Sequence, residues 1–449
     1  MRRPSRLRAP ILMAAPVLGV AHPALADDPA AIEALRATIA AQQRSLEAQA
    51  ALLEQQRQAI AALDRKLDAL AGPDPAPSDP TPAAFAGPGL KVAGYVQTDA
   101  LYFPKARTGE AEDLLLPRLI NTTSAAASRD RSRLSARASR LSLEARWPTA
   151  PVPLRAVVEF DFFGQAPATA QAQTNGYEPR LRQAYVELGP GRDAWSLTLG
   201  QTWSAFADPE SYGPFYNASP FGAVFVRQAQ IRYTRWLDPD TRLFVSVENP
   251  QGEIAGAGGE AFDTWPDLVV GGRIDRGWGH VQVSGLLRAI QESPPDDRAL
   301  GWGLMLSSVL RPGFASDDRL RAQVSGGRGV GRYISDLGAG FDGVVETDGA
   351  VRTRPVLALS ANYQHAWSPR WRSALGLSAV EVDAPPSSAV TTATLAEDVR
   401  GTRVITANLV FSPVTALDLA AEITLGEKED GLGRRARARL YRLSSRLSF

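Results

Sequence analysis

Cysteine is absent from the 449 residues, which removes disulfide scaffolds, cysteine–zinc sites and thiol catalysis together. Histidine is nearly so. Of three, His22 falls in a segment expected to be cleaved, and His280 and His365 are too few for metal chemistry built on histidine clusters. Lysine is scarce as well: apart from Lys66, Lys91, Lys105 and Lys428, all of the 49 cations are arginine. Because 48 carboxylates balance them to a net +1, neither a histone-like basic binder nor an acidic tail fits, and no nucleic-acid partner is expected. No phosphate-cradling Gly-Lys-Ser/Thr loop occurs. The chain also has no apolar run of about 18 residues, which excludes a helical membrane protein. A transmembrane β-barrel remains open, since its lipid face uses only every second residue.

The N-terminal part carries three signals. Residues 1–26 read as a secretory segment, with Arg2, Arg3, Arg6 and Arg8 at the start, an apolar stretch from Ile11 to Val20, and Ala24-Leu25-Ala26 as a small-x-small cleavage site; a short membrane anchor is the alternative. Over 30–71 a seven-residue repeat places Ile32, Ile39, Leu46, Leu53, Ile60 and Leu67 at one seam position, with Leu35, Gln42, Gln49, Gln56, Leu63 and Leu70 at the other. A lone helix would drift about 20° per heptad from such a stripe, so the repeat predicts a supercoiled partner and an assembling stalk. A spacer or a cell-wall (peptidoglycan) contact is the alternative use of the same helix. Residues 72–89 are a Pro-rich linker, extended and semi-rigid.

Beyond it the hydrophobic period changes to two. In Lys91 to Phe103, Val92, Val96 and Tyr102 alternate with Lys91, Gln97 and Asp99. The pattern recurs in sixteen segments: 90–103, 135–147, 154–163, 180–189, 194–202, 224–236, 241–249, 267–275, 278–290, 300–311, 319–327, 353–366, 371–382, 401–412, 415–427 and 434–449. Short connections with turn chemistry, such as Asp238-Pro239-Asp240 and Ser412-Pro413-Val414, alternate with mostly long ones, as the periplasmic turns and outer loops of an outer-membrane barrel do. Trp147, Trp195, Trp236, Trp278, Trp367 and Trp371 all fall at the short-turn ends, where an interfacial girdle belongs. The terminal strand, from Tyr441 to Phe449, ends on an aromatic that resembles the assembly signal of bacterial barrels. The expected fold is therefore all-β: a 16-stranded antiparallel transmembrane barrel over 90–449 in the bacterial outer membrane, with the coiled-coil helix in the periplasm.

Several strings carry a family likeness. Gly94-Tyr95-Val96-Gln97-Thr98-Asp99, Ser139-Arg140-Leu141-Ser142, Glu159-Phe160-Asp161-Phe162-Phe163-Gly164, Arg180-Leu181-Arg182-Gln183-Ala184-Tyr185, Gly200-Gln201-Thr202-Trp203-Ser204, Val226-Arg227-Gln228-Ala229-Gln230 and Asn408-Leu409-Val410-Phe411-Ser412-Pro413 occur in this order behind a heptad stalk and a Pro-rich linker. Together they resemble the DcaP-like outer-membrane porins. The resemblance implies a homotrimer of barrels, each with its own pore, preferring anions and small di- or polycarboxylates. The chain departs from that pattern chiefly in 328–352 and 383–400.

If the apolar phase faces lipid, the opposite phase carries Arg140, Arg155, Arg232, Arg242, Arg273, Arg288, Arg321 and Arg372 into the lumen, facing Asp99, Glu144, Glu159, Asp161, Glu187, Glu248, Asp418 and Glu422. Each arginine can pair across strands and brace the wall, or stand in excess and read anions. Arginine suits the second task because its planar fork takes a carboxylate through two hydrogen bonds and keeps its charge in a narrow site. The constriction is expected from 203–223, with Trp203, Phe206, Tyr212, Phe215 and Tyr216; an outer cap or subunit contact is its other reading. His280 and His365 show no Ser/Asp partnership at strand spacing, so no enzyme, catalytic residue or cofactor is expected. Asp336, Asp342 and Asp348 lack the spacing of a calcium loop and read as solvated loop acids. A phosphate-type anion porin would show a lysine ladder, which four lysines do not supply. An envelope tether is the reading from another class, and a trimeric adhesin would contribute far fewer strands per chain.

Overall fold

The computed structural model describes residues 89–449 apart from 107–112, 124–128, 149–151, 165–176, 218, 253, 256–259, 262–264, 294–297, 313–316, 339–341, 347–348 and 384–390. N-terminal to these it describes only Glu33, Ala40, Gln43, Glu47, Glu54 and Gln58, each helical and exposed. The expected secretory segment, the heptad seam and the linker up to Pro88 lie outside the described residues.

Sixteen staves form the body. They are β1 (Gly89–Ala106), β2 (in two halves, Arg129–Ser135 and Arg140–Trp147), β3 (Leu154–Asp161), β4 (Arg180–Leu188), β5 (Trp195–Trp203), β6 (Arg227–Asp238), β7 (Thr241–Glu248) and β8 (Asp267–Arg276). β9 (Gly279–Ser293), β10 (Arg298–Leu310), β11 (Arg319–Arg328), β12 (Pro355–Ser368), β13 (Trp371–Val382), β14 (Gly401–Val414), β15 (Leu417–Glu429) and β16 (Arg435–Ser448) complete the set. Each pairs antiparallel with its chain neighbours, and β1 pairs with β16 from Tyr95↔Ser448 to Tyr102↔Tyr441, so the sheet closes into a barrel without an edge. Gly94 and Phe449 exchange both backbone hydrogen bonds at 3.1 Å and finish that seam.

The expected segments match these strands within three residues at each end except at β2. There the stave extends outward to Arg129, past an interruption at 136–139 that breaks the period-two pattern. Ser412-Pro413-Val414, expected as a turn, lies at the end of β14, and the reversal falls at 415–416. Asp238 does turn the chain, accepting from Asp240 N at 2.8 Å.

The alternation sorts polarity inside out. Leu134, Leu300 and Leu443 on the outer surface are 76%, 68% and 63% exposed, whereas the inward Gln97, Ser246, Ser284 and Thr424 are wholly buried. In water such a surface would cost about 25 cal/mol for each Å² of apolar area, a penalty that a hydrocarbon surround removes. Trp278, Trp367 and Trp371 are exposed at the short-turn end, and Trp367 donates Nε1–H to Ser373 Oγ at 2.9 Å, the half-apolar, half-polar setting of an interfacial ring.

The interior is not left to strand side chains alone. Three connections at the long-loop end fold into the barrel. Segment 113–123 buries Leu115 and Ile120 against Leu101, Phe103, Val404 and Leu440. Segments 204–226 and 329–354 meet each other: Phe225 N donates to Tyr333 O at 2.8 Å, Ser335 N donates to Ala223 O at 3.0 Å, and Phe206 and Tyr333 pack edge to face. Around that contact Leu286, Met305, Val330, Leu337 and Val356 form a dry core inside the barrel.

Candidate functional site

The segment 204–226 leaves β5 and runs along the inner wall past β7 to β15. Ala205 N donates to Glu248 Oε1 of β7 at 2.7 Å, and Gln282 of β9 donates to Ala207 O at 3.1 Å. A short 3-10 turn, Pro209–Ser211, is capped by the Asp208 side chain, which accepts from Glu210 N. Further on, Asn362 of β12 donates to Ser211 O, and the Phe215 ring lies where any side chain at Gly376 of β13 would stand. The tip is tied down by Glu422 of β15, which accepts from Tyr216 N at 2.8 Å and Asn217 N at 3.0 Å, while Tyr216 Oη donates to Asp418 at 3.0 Å. On the return, Gly222 N donates to Asp336 and Val224 N donates to Gln323. Gly222 adopts φ 61° with Leu359 O and Ser378 Cβ against it, a close left-handed passage only glycine fits.

The aromatic residues expected at the constriction therefore divide. Trp203 borders a lumenal space of ≈ 240 Å³ together with Glu187, Glu210, Arg232, Arg242 and Arg273. Tyr212 donates to Val224 O, and Phe215 and Tyr216 face the wall. Phe206 is fully buried under Tyr333 and lines no aqueous space, a correction to its expected place.

The arginines divide too. Arg288 is expected in the pore lining but is completely buried. It sits between Asp267 and Asp342, 3.3 and 2.8 Å away, and clamps 329–354 onto β8 and β9. Arg273, 6% exposed, binds Asp275 at 2.7 Å and the loop's Glu210 at 2.9 Å. Asp99 is likewise buried, held by Arg442 at 2.8 Å and by Gln97. Arg242 pairs with Asp275 at 3.5 Å, and Arg372 with Asp418 at 2.5 Å. Arg155 takes Glu144 at 2.8 Å, and Arg321 reaches only Gln364, at 3.3 Å. Arg232, on β6, has no carboxylate within ion-pair distance among the described residues, although it borders the same lumenal space.

The wall from β2 to β6 holds the densest set. Arg180 and Arg182 bind Asp161 at 2.8 Å each, Arg182 also binds Glu159 at 2.7 Å, and Arg140 approaches Glu159 only to 3.9 Å. Arg227 stacks on Trp203 and Phe225 at 4.7 and 5.4 Å, with no ion pair among the described residues and a buried Nη1 that makes no hydrogen bond. Three guanidiniums thus share two carboxylates, with Arg227 beside them outside ion-pair distance. Sequence reasoning missed Arg180, Arg182 and Arg227. A register shift between Glu159 and Phe160 breaks the alternation that would have marked Arg182, and Arg227 sits at a strand end where phase no longer predicts direction.

His280 is buried, and its Nε2 lies 2.8 Å from Asp208 Oδ2, a partner that strand spacing did not reveal because it sits in the loop. Ser307 donates to the same carboxylate oxygen at 2.7 Å, so serine and histidine both face the acid and the imidazole does not activate the Ser307 hydroxyl. Burial alone would raise the Asp208 carboxyl, but His280, Ser307 and Arg273 hold it below the ordinary carboxylate value. His365 sits at the short-turn end, bonded to Asp318 at 2.9 Å and edge-on to Trp367. Asp336 and Asp342, read as solvated, are instead buried: Asp336 takes Gly222 N, Thr402 and Ser335, and Asp342 takes Arg288 and Arg332 N. Asp348 lies outside the described residues.

No family model and no curated protein matches the chain by sequence. Among solved structures it is similar to the outer membrane channel DcaP of Acinetobacter baumannii, with a TM-score of 0.69 and 22% identity over 82% of this chain and 99% of that one. It is also similar to an anion-selective porin from Comamonas acidovorans, with a TM-score of 0.54 and 12% identity over 81% of this chain and all (100%) of that one. At such identities the shared property is the fold, a closed antiparallel β-barrel.

Proposed function

We propose that this barrel, which has the fold of outer-membrane porins, passes small anionic solutes, di- and polycarboxylates foremost, by passive diffusion. The observation that carries the reading is a charge imbalance within one cluster of the β2 to β6 wall, where Arg140, Arg180, Arg182 and Arg227 surround Glu159 and Asp161, with Arg232 outside ion-pair distance of any carboxylate among the described residues. A carboxylate entering that space finds hydrogen-bond donors already oriented, and the low-dielectric wall strengthens their attraction. Cations are repelled by the same field. Arg273 and Glu210, opposite, neutralise each other and give the path a second polar side. Binding must release its solute on the other side, so an affinity of about millimolar order is expected.

In this reading the protein sits in the bacterial outer membrane as a homotrimer, its stalk in the periplasm. The two similar structures, an outer membrane channel and an anion-selective porin, support the class of function. Reversal potentials in planar bilayers, followed by addition of dicarboxylates, test it. Chloride preference with current block supports the reading; potassium preference with no block by any carboxylate overturns it. Crosslinking of a Leu53→Cys variant in membranes tests the assembly, and a monomeric product would remove the trimer.

A further inference from the structure

We propose that Arg446, which lies outside the wall cluster, is a specificity-determining residue of the pore, taking one carboxylate of a diacid while Arg140 takes the other. The inference rests on the anion-porin reading and names the residues that would recognise the solute. Arg446 lies on β16, and its guanidinium is covered on Tyr95 at 4.5 Å and on Tyr216, at the tip of 204–226, at 4.3 Å. Its Nε donates to Gln97 Oε1 at 2.8 Å. No carboxylate lies within ion-pair distance of it among the described residues, although Asp418 is its register partner on β15, because Asp418 is already taken by Arg372, Ser412 and Tyr216.

An arginine whose planar surface meets two tyrosine rings and whose Nε is engaged has only its Nη edge left to offer. That edge presents parallel donors matched to one carboxylate. Tyr95 also carries Arg140, 5.3 Å from the same ring, so the two cations share one aromatic spacer and can be no farther apart than those two distances combined. Such a pair favours a short or ring-borne dicarboxylate over two separate monoanions, since the second contact becomes intramolecular. The ring contacts also mean that Arg446 is ordered before the solute arrives, which lowers the cost of binding.

Current block by succinate and by phthalate, against acetate, is measured on the full chain and on Arg446→Lys, Arg446→Gln and Tyr95→Leu, with Arg403→Gln on the outer surface as control. Lysine keeps the charge and loses the planar edge. The expected result is about a tenfold loss of dicarboxylate block in Arg446→Lys, an equal or larger loss in Arg446→Gln, a smaller one in Tyr95→Leu, and none in the control. If the unaltered chain prefers chloride but Arg446→Lys blocks as before, this proposal falls and the anion-porin reading stands. Chloride preference without dicarboxylate block of the unaltered chain also removes it. If the unaltered chain prefers potassium, both fall. Should Arg446→Gln fail to yield a folded barrel, Arg446→Lys and Tyr95→Leu carry the test.

Discussion

Arginine does opposite work on the two halves of the inner wall. Where 204–226 and 329–354 cover the strands, Arg288, Arg273 and Arg372 end in carboxylates supplied by the loops or by neighbouring strands, and Arg288 has no contact with solvent at all. On the β2 to β6 side, Arg140, Arg180 and Arg182 share two acids and Arg227 stands beside them outside ion-pair distance. The difference teaches that a count of lumenal arginines says nothing about selectivity until the loops have taken their share. A guanidinium whose partner comes from a loop fastens that loop; a set in excess over the acids around it keeps its field for a solute.

The comparison breaks most visibly at Arg288. Replacing it by Ala leaves Asp267 and Asp342 buried without a cation, and the expected loss is about 3–5 kcal/mol in a urea titration of the folded barrel, with 329–354 becoming open to protease. Glu422→Gln comes next. It weakens the two backbone hydrogen bonds that hold the loop tip and should cost about 1–3 kcal/mol, with larger and noisier single-channel conductance as the reporter. Arg232→Gln should act in the other direction on the two readouts: anion preference falls while stability holds or rises, because a half-buried charge with no ion pair among the described residues is removed. A marked loss of stability in that variant would mean Arg232 belongs with the fastening arginines. The smallest effect is expected at Arg437→Ala on the outer surface, whose pair with Glu427 is 80% exposed on the arginine side; less than about 1 kcal/mol should be lost.

Strand number, order and phase were legible because a single-layer barrel imposes one rule, alternation, on every stave, and few tertiary contacts override it. The wall was legible and the filling was not. Asp208 with His280 and Asp342 with Arg288 join loops to strands 72 and 54 residues apart, and Asp336 with Gly222 joins two loops 114 residues apart. No spacing rule reaches across such intervals. The inward turn of 204–226 was foreseeable from its aromatic content, since those rings need somewhere dry, but not that Phe206 would be consumed by a second loop. That partner, 329–354, carries little in its composition to announce it beyond Tyr333, Ile334 and Leu337. Arg446 escaped for a different reason. It sits in a terminal strand whose most obvious message concerns assembly, and its tyrosine partners come from β1 and from the loop tip.

The seam between Gly94 and Phe449 has a consequence for how the molecule comes into being. Strands that close the cylinder are the two most distant in sequence among the described staves, so their meeting carries the largest loop-closure entropy and stands at the end of any stepwise zippering. Until they meet, β1 and β16 each present an open row of backbone donors and acceptors, the same template on which chains aggregate. A half-built intermediate is therefore open to edge-to-edge pairing with other chains until that seam forms.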